Sequence, residues 1–424
     1  MPKKKFSIVS LGCFRNTYDS GIVAEKFLRK GYSFMAESRS LAKNTNEFAG
    51  CDVLGINTCG FIDKAKKESL AAIKEAIQLK NRGKIKKILV FGCLVERYRK
   101  DLEKFFPEVN QWRGVEKLSC KFIKRKNLLP RYIDFLKICE GCFNKCSYCA
   151  IPLIKGSLVS KPKAEIVKEA KYLDSRGVKE LNIIGQDITS WGRDLKGKEG
   201  LGLLLKKILQ ETKNIHWIRL FYTHPLHISG SLLDLIAKEE RICKYIDLPL
   251  QHINDRILRL MNRKITKSET IDLIKKIRKK IPGCAIRTSI ITGFPTETER
   301  EFEELLNFLQ EMRFERLGTF IYSREENTAA YNLSGQLHYK TKERRLKEIM
   351  SLQQSISRDI NRGFLGKEIE VLVEEKENDI FRGRSQYDGY EVDGVVYLKR
   401  KNLKIGEFYK VKIVDSYEYD LVGV

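Results

Sequence analysis

The sequence has no apolar run approaching the roughly 18 residues a helix needs to span a bilayer, which argues against a membrane protein. No secretory leader is expected either. The start, MPKKKFSIVSLGC, is basic, but no apolar segment of leader length follows, and Cys13 falls inside what reads as a first strand. A cytoplasmic protein with no membrane contact is expected. Internal repeats and low-complexity tracts are missing too, which excludes a repeat architecture.

What is there fits an enzyme of two or three domains: 424 residues, 42% hydrophobic and 32% charged. There are 11 cysteines, an odd number. In a reducing compartment such a set points away from structural disulfides and towards metal or redox chemistry. Isolated thiols such as Cys243 and Cys284 read as small buried hydrophobes.

The formal net charge of +25 suits a polyanionic partner. Segments such as NRGKIKK, IRKKIP and KTKERRLK read equally well as solvated helix faces. The distribution says more. From Gly366 to Val424 there are 10 Lys/Arg against 13 Asp/Glu, a net of −3, which leaves +28 on the preceding residues. An acidic tail follows a basic body.

From Lys5 to about Gly114 short apolar runs alternate with helical patterns, predicting a Rossmann-like parallel sheet flanked by helices. Cys13, Cys59 and Cys93 follow three of its predicted strands, each beside a glycine (LGC, TCG, FGC). In a parallel sheet these strand ends share one edge, so cysteines far apart in sequence should converge. After a connecting segment, CKFIKRKNLLPRY, about six further strand–helix units predict a full or partial barrel. CEGCFNKCSYC, GQD, THP, QH and TGFPTET fall on its loops after the strands, where such barrels carry active residues. A basic helix from Tyr339 then leads to a tail of about five short strands with glycine-containing turns, a small antiparallel β-barrel. The domain boundaries read as 1–120, 128–364 and 365–424.

Four cysteines, Cys139, Cys142, Cys146 and Cys149, crowd into eleven residues. Taken as two C-x₂-C pairs they would make a zinc site, but zinc knuckles usually lie on turns a dozen or more residues apart. Taken as C-x₃-C-x₂-C, Cys142, Cys146 and Cys149 fit three corners of a cubane with the fourth iron open.

This motif, with Tyr148 just before the last cysteine and after a first barrel strand, resembles the radical S-adenosylmethionine (SAM) superfamily. SLGCFRNTYDS, NTCGFIDKAKKES and GCLVERY resemble the N-terminal domain of the methylthiotransferases. CSYCAIPLIKG, DLPLQH, MNR, RTSIITGFPTET and FIYS resemble their centre, and the tail their TRAM barrel. The resemblance spans essentially the whole chain. It implies two [4Fe–4S] clusters, one on Cys142, Cys146 and Cys149 and one on Cys13, Cys59 and Cys93. It further implies that SAM cleaved at the first cluster yields a radical that abstracts hydrogen from the substrate. The second cluster would carry the sulfur, and a further SAM the methyl group.

The resemblance leaves Cys139, Cys51 and Cys120 without a ligand role; the family generally has serine where this chain has Cys139. Gly185, Gln186 and Asp187 occupy a place where such barrels often contact SAM, although an Asp N-cap in a tight turn explains Asp187 as well. Gly293 is a candidate for close approach to SAM. Thr296 and Glu297 belong to the same segment or cap the next helix. His224, His227 and His252 are expected near the mouth in structural or substrate-contact roles.

Within the family two substrates stand. NTCGFID and YSREENTAA resemble the branch that modifies the β-carbon of an aspartate on a small-subunit ribosomal protein, with Asn327 where that branch has glycine and FRN after Cys13 where it has PKN. The other branch modifies adenosine beside the tRNA anticodon. A tail of net −3 suits a basic ribosomal protein better than RNA, with EEKEND, YDGYEVDG and DSYEYD as candidate contacts. The basic body keeps tRNA open, and also contact with rRNA on an assembling subunit. An electron-donor protein is implied as a further partner. A third reading, a non-catalytic Fe–S or zinc protein that binds nucleic acid, predicts no SAM cleavage and leaves the barrel unexplained.

Overall fold

The structure, a computed structural model, describes residues 3–41, 45–197 and 199–424. The first unit is a parallel sheet of β1 (Lys5–Ser10), β2 (Ser33–Ser38), β3 (Cys51–Thr58), β4 (Ile85–Gly92) and β5 (Gln111–Arg113), in the order β2-β1-β3-β4-β5. Helices α1 (Phe14–Arg29), α2 (Asp63–Asn81) and α3 (Cys93–Phe105) connect its strands. The edge strands β2 and β5 escape a pattern search: β5 has three residues, and every residue of β2 is half-buried, so neither shows an apolar run. The strand order reverses between β1 and β3, and that switch point is where doubly wound sheets open a crevice. Cys13 is not within β1 as its surroundings predicted; it is the N-cap of α1, above the switch point.

The central unit holds two three-stranded parallel sheets. One comprises β6 (Ile133–Lys137), β9 (Glu180–Ile184) and β10 (Trp217–Leu220), and the other β11 (Tyr245–Asp247), β12 (Ala285–Thr292) and β13 (Arg316–Ile321). A parallel bridge at Ile218 and Ile242, and the Thr223 amide donating to the Asp247 carbonyl at 3.1 Å, carry one sheet into the next. The result is a partial barrel of six strands. Between β6 and β9 lie the two-residue strands β7 (Cys139–Glu140) and β8 (Val159–Ser160), with α4 (Ile151–Lys155) between them. Helices α5 (Lys163–Ser175), α6 (Leu201–Glu211), α7 (Gly230–Lys238), α8 (Asp255–Leu260), α9 (Lys267–Lys280) and α10 (Glu299–Met312) cover the outside. Apolar residues such as Leu136, Leu181, Ile218, Ile246, Ile286 and Phe302 fill one continuous core. Among the described residues no helix is long and apolar enough to cross a membrane.

Helix α11 (Tyr339–Arg362) leads to β14 (Glu368–Glu377), β15 (Ile380–Ser385), β16 (Val396–Leu398), β17 (Phe408–Ser416) and β18 (Leu421–Gly423). These close into a barrel of order β14-β15-β16-β18-β17. Four of its pairings are antiparallel, but β16 and β18 run parallel, so the barrel is not purely antiparallel as the turn spacing predicted.

Several acidic groups of the tail are turned onto the basic body. Asp388 pairs with Arg316 at 2.5 Å, Asp393 with Arg287 at 3.2 Å and Glu391 with Arg39 at 3.0 Å, and Glu418 pairs with Arg358. Asp420 accepts from the Val395 amide at 2.8 Å. YDGYEVDG and part of DSYEYD thus dock the tail itself. For their paired residues the expectation of a basic partner is corrected, whereas Asp415, and Glu375, Glu377 and Asp379 of EEKEND, stay exposed.

A buried cluster anchors this contact. Glu180 on β9 faces Arg219 at 2.8 Å and Arg384 of the tail at 2.5 Å, and Arg384 also meets Glu374 at 2.7 Å. Burial alone would raise the Glu180 carboxyl, but the Arg384 and Arg219 guanidiniums outweigh it and hold the carboxyl below its ordinary value. With a folded value below the unfolded one, this stabilisation is present above about pH 4.3 and is lost as pH falls through the folded value. Arg384→Met strips one of two cations from a buried carboxylate. A loss of about 3 kcal/mol is expected, the low end for breaking a buried pair because Arg219 remains. Denaturant titration of the two proteins at neutral pH checks it; near-equal midpoints would contradict it.

Candidate functional site

The C-terminal ends of the barrel strands surround a cleft of about 420 Å³, inside the usual range for small-molecule sites. Cys142, Cys146 and Cys149 all line it. Their loop is pinned from several sides. The Ser147 amide donates to the Met261 carbonyl at 3.0 Å, its hydroxyl to the Leu260 carbonyl at 2.7 Å, and Asn262 Nδ2 to the Lys145 carbonyl at 2.7 Å. Asn144 offers its amide and Nδ2 to Cys142 Sγ at 3.5 and 3.4 Å, and Arg263 Nη1 lies 3.9 Å from Cys146 Sγ. Burial pushes the Cys149 thiol up to about 12 and also raises Cys142. Thiolates here need a cationic group to compensate them, and iron is one.

Cys139 takes no part. It is fully buried in the barrel core, its Sγ 3.6 Å from the Asp187 carbonyl and 2.6 Å from where a Cβ on Gly185 would stand. Gly185 is a glycine because this sulfur occupies its side-chain space. The four crowded cysteines therefore divide three and one. Cys139→Ser should leave the iron content per chain unchanged, which elemental analysis of the reconstituted protein checks. Cys51 is likewise buried, its Sγ 2.8 Å from the Val53 carbonyl, and Cys120 is exposed on the connecting segment.

Of the other candidates, Gln186 lines the cleft with both amide atoms buried and unpartnered. Tyr148 also lines it and packs beside Met261 and Phe294. Asp187 lines the cleft and fills the capping role foreseen for it. It caps a short 3₁₀ turn, accepting from the Thr189 amide at 3.0 Å, and it receives Asn144 Nδ2 at 2.9 Å, which aims Asn144 at Cys142.

Gly293 is corrected. It is not among the residues lining the cleft; a Cβ there would fall 2.4 Å from Lys342 Cγ, so its φ of +72° and missing side chain serve the packing of α11. Thr296 and Glu297 do not cap α10 either. Thr298 does, in a capping box with Glu301, while buried Glu297 meets Arg345 at 3.0 Å and His252 at 3.3 Å.

Among the described residues, Asp187, His224 and His227 are the one set whose possible metal-ligating atoms all lie within 4.8 Å of one another. Most of their atoms are already employed. His227 Nδ1 receives Arg193 Nη2 at 3.0 Å, so the ring proton is assigned to Nε2, 2.9 Å from Asn144 Oδ1. His224 Nδ1 accepts from the Leu226 amide at 3.3 Å, which leaves its buried Nε2 as an unpartnered donor in a cleft-lining residue. Burial, with Arg263 nearby, lowers His224 to about 2, so it stays neutral. Asp187 and His227 form a hydrogen-bonded chain through Asn144 behind Cys142, with the His224 ring stacked on His227.

The second cysteine set converges as the strand ends predicted. Cys13, Cys59 and Cys93 follow β1, β3 and β4. A Cβ on Gly12, whose φ is +88°, would stand 3.2 Å from Cys59 Sγ. Asn16 ties the loops together: its Nδ2 donates to the Leu11 and Thr58 carbonyls at 2.7 and 3.3 Å, and its Oδ1 lies 3.8 Å from Cys93 Sγ. The Ser69 hydroxyl accepts from the Cys59 amide and donates to its carbonyl, both at 3.0 Å. Burial pushes Cys59 up to about 11 and Cys93 up to about 12; at Cys13 it is more than reversed by Arg15, whose Nε is 3.3 Å from the sulfur.

The two sets adjoin. Cys93 packs on Ala150, the residue after Cys149, and Arg15, Phe61 and Ile62 of the first unit form part of the cleft wall. Buried charges hold the units in place. Asp19 pairs with Lys137 and, at 3.1 Å, with Lys155; Glu140 meets Lys155 at 2.7 Å and Lys137 at 3.2 Å. Glu325, fully buried, receives Arg97 at 2.8 Å and Lys66 at 3.0 Å. Sequence reasoning missed these supports. A signal existed: the first turns of α1 bury Asn16, Thr17, Asp19 and Ser20, a polar run where a helix packed on a sheet ordinarily turns apolar residues inward.

The chain matches three known families in order: the uncharacterized protein family UPF0004 over residues 5–114, the Radical SAM superfamily over 136–309 and the TRAM domain over 365–424. It is 41% identical over 437 residues to the ribosomal protein uS12 methylthiotransferase RimO of Flavobacterium psychrophilum, covering 100% of this chain and 98% of that one. RimO of Clostridium botulinum (strain Eklund 17B) is 40% identical over 451 residues, with 100% and 98% covered. Among solved structures, the radical S-adenosylmethionine methyltransferase TsrM from Kitasatospora setae aligns with a TM-score of 0.54 at 13% identity, over 75% of this chain and 73% of that one, a likeness of fold.

Proposed function

Since the chain belongs to the RimO family of ribosomal protein uS12 methylthiotransferases, we propose that its cleft is where a uS12 aspartate receives a methylthio group on its β-carbon, with one [4Fe–4S] cluster held by each cysteine triad. It is a radical SAM enzyme, with iron–sulfur and SAM as cofactors. The observation that carries the proposal is the adjacency of the two three-thiol sets: Cys142, Cys146 and Cys149 line the cleft, and the second set lies behind a wall that includes Arg15, Cys93 sharing one apolar cluster with Ala150 beside Cys149. Three thiols suit a cubane with one open iron. When bound, the clusters supply the electron that cleaves SAM and the sulfur that is transferred.

The chain's own residues orient and shield. Asn144 and Arg263 direct hydrogen-bond donors at Cys142 and Cys146, a placement that tunes a cluster's potential. Gln186 and His224 offer unpartnered polar atoms for SAM, and Tyr148 an apolar wall. Asp187 works through Asn144. Residues 1–120, 128–364 and 365–424 are read as the three domains, in the cytoplasm, with an electron-donor protein and contact with rRNA or an assembling subunit as further partners.

The deciding experiment offers the reconstituted enzyme, SAM and a reductant both uS12 and an anticodon-stem tRNA. A peptide carrying the mass of SCH₃ in place of H on aspartate is the expected product. The same gain on adenosine with uS12 untouched would overturn the proposal.

A further inference from the structure

The cleft contains three arginines, Arg15, Arg263 and Arg287, and their surroundings differ. Arg287 is neutralised by Asp247 at 3.1 Å and Asp393 at 3.2 Å. Arg263 lies on the side of the radical-SAM motif, with Nη1 towards Cys146 and Nη2 on the Pro249 carbonyl at 2.5 Å. Arg15 stands beside Cys13 and lines the same cleft as Cys142, Cys146 and Cys149. Its Nε points at Cys13 Sγ, its Nη1 reaches the Gly185 carbonyl at 3.3 Å, and its plane lies 4.7 Å over the Tyr222 ring. It pairs with no carboxylate among the described residues, and its Nη2 has no hydrogen bond there.

A guanidinium held in a fixed plane, with a free donor and no counter-carboxylate, is an anion site. The reading of the function brings such an anion. An aspartate side chain is ionised at neutral pH, and carrying it into a cleft without a cation costs several kcal/mol. Its β-carbon must also come near both cysteine sets, and Arg15 touches Cys13 while lining the cleft that Cys142, Cys146 and Cys149 line. Phe14, the residue before it, stacks on Phe135 at 4.7 Å and holds the helix start by packing.

We propose that Arg15 binds the carboxylate of the target aspartate and so selects an acidic side chain for methylthiolation. This rests on the reading that uS12 is the substrate. Nη2 donates to one carboxylate oxygen, and Tyr222 below fixes the approach.

The test uses the reconstituted full chain, wild type, Arg15→Gln and Arg15→Lys, with uS12 and with uS12 carrying asparagine at the target position. The β-carbon of the target residue bears deuterium, so deuterium appearing in 5′-deoxyadenosine reports hydrogen abstraction independently of sulfur insertion. Iron content and the visible spectrum confirm that both clusters are in place. Arg15→Gln should lower kcat/KM for deuterium transfer from the aspartate form about 30- to 100-fold, the worth of one charged hydrogen bond. It should leave the asparagine form within about threefold, which collapses the wild-type preference for aspartate. Arg15→Lys should stay within about tenfold of wild type. An unchanged preference in Arg15→Gln would overturn the proposal. So would normal deuterium transfer with lost sulfur insertion, which would assign Arg15 to the sulfur side. If wild type leaves uS12 unmodified, the functional reading falls and this proposal with it.

Discussion

Replacing any one of Cys142, Cys146 or Cys149 by alanine should reduce the reductant-dependent release of 5′-deoxyadenosine more than 100-fold. Losing a hydrogen-bond partner behind a metal ligand ordinarily costs about 10- to 100-fold, and losing the ligand itself costs more. The three thiols have no substitute within reach. Cys139 is the nearest spare cysteine in sequence, but it is buried in the barrel core with its sulfur against Gly185 and the Asp187 carbonyl. Moving it to the cleft would empty a packed site. Chromatographic measurement of 5′-deoxyadenosine from each variant, with and without dithionite, checks this. Wild-type release from any of the three would overturn the assignment of the radical-SAM triad.

The second large effect separates the two triads. Alanine at Cys13, Cys59 or Cys93 should keep SAM cleavage within about threefold of wild type, a barrier change of about 0.6 kcal/mol, yet remove methylthiolation of uS12. The separation is expected because each triad is supported by its own unit. Asn16, Asn57 and Ser69 tie the loops after β1, β3 and β4. The other loop leans on Leu260, Met261 and Asn262 of the barrel. The charged groups that join the units, Asp19 with Lys137, Glu140 and Lys155, and Glu325 with Arg97 and Lys66, contain no cysteine. Removing a thiol from the first unit therefore leaves these ion pairs, and the supports of the Cys146 loop, in place. Parallel assays of SAM cleavage and product mass on the same preparation decide it. Retained methylthiolation would refute the two-triad scheme, and loss of both activities would mean that the first unit is needed to build the cleft.

Asn327 shows how a departure in motif wording can be neutral in structure. It stands where the branch has glycine, at a φ of +63°, and asparagine tolerates this left-handed region better than most residues. The turn is kept, and Glu325 stays buried against Arg97 and Lys66. Single-residue differences of this kind weigh little against a site whose geometry survives them.

The sequence by itself determined what local chemistry and periodicity control. Strand–helix alternation predicted both parallel units, since each strand's apolar run and each helix's apolar stripe can be satisfied only by packing on one another. The spacing of Cys142, Cys146 and Cys149 marked one site, and the glycine-flanked strand ends of Cys13, Cys59 and Cys93 placed the other on one sheet edge. Tertiary structure alone decided which groups those residues meet. Gly293 follows a barrel strand, yet it is excluded from the cleft by Lys342 of α11, about fifty residues away in sequence. Asp388, Glu391, Asp393 and Glu418 of the tail read as solvated loop charges, yet they pair with Arg316, Arg39, Arg287 and Arg358 of the body. Arg15 reads as an ordinary helix residue until Tyr222 and Gly185 close around it. Periodicity reports the environment of a residue's own element, whereas charge pairing and exclusion depend on what the chain brings back from far away.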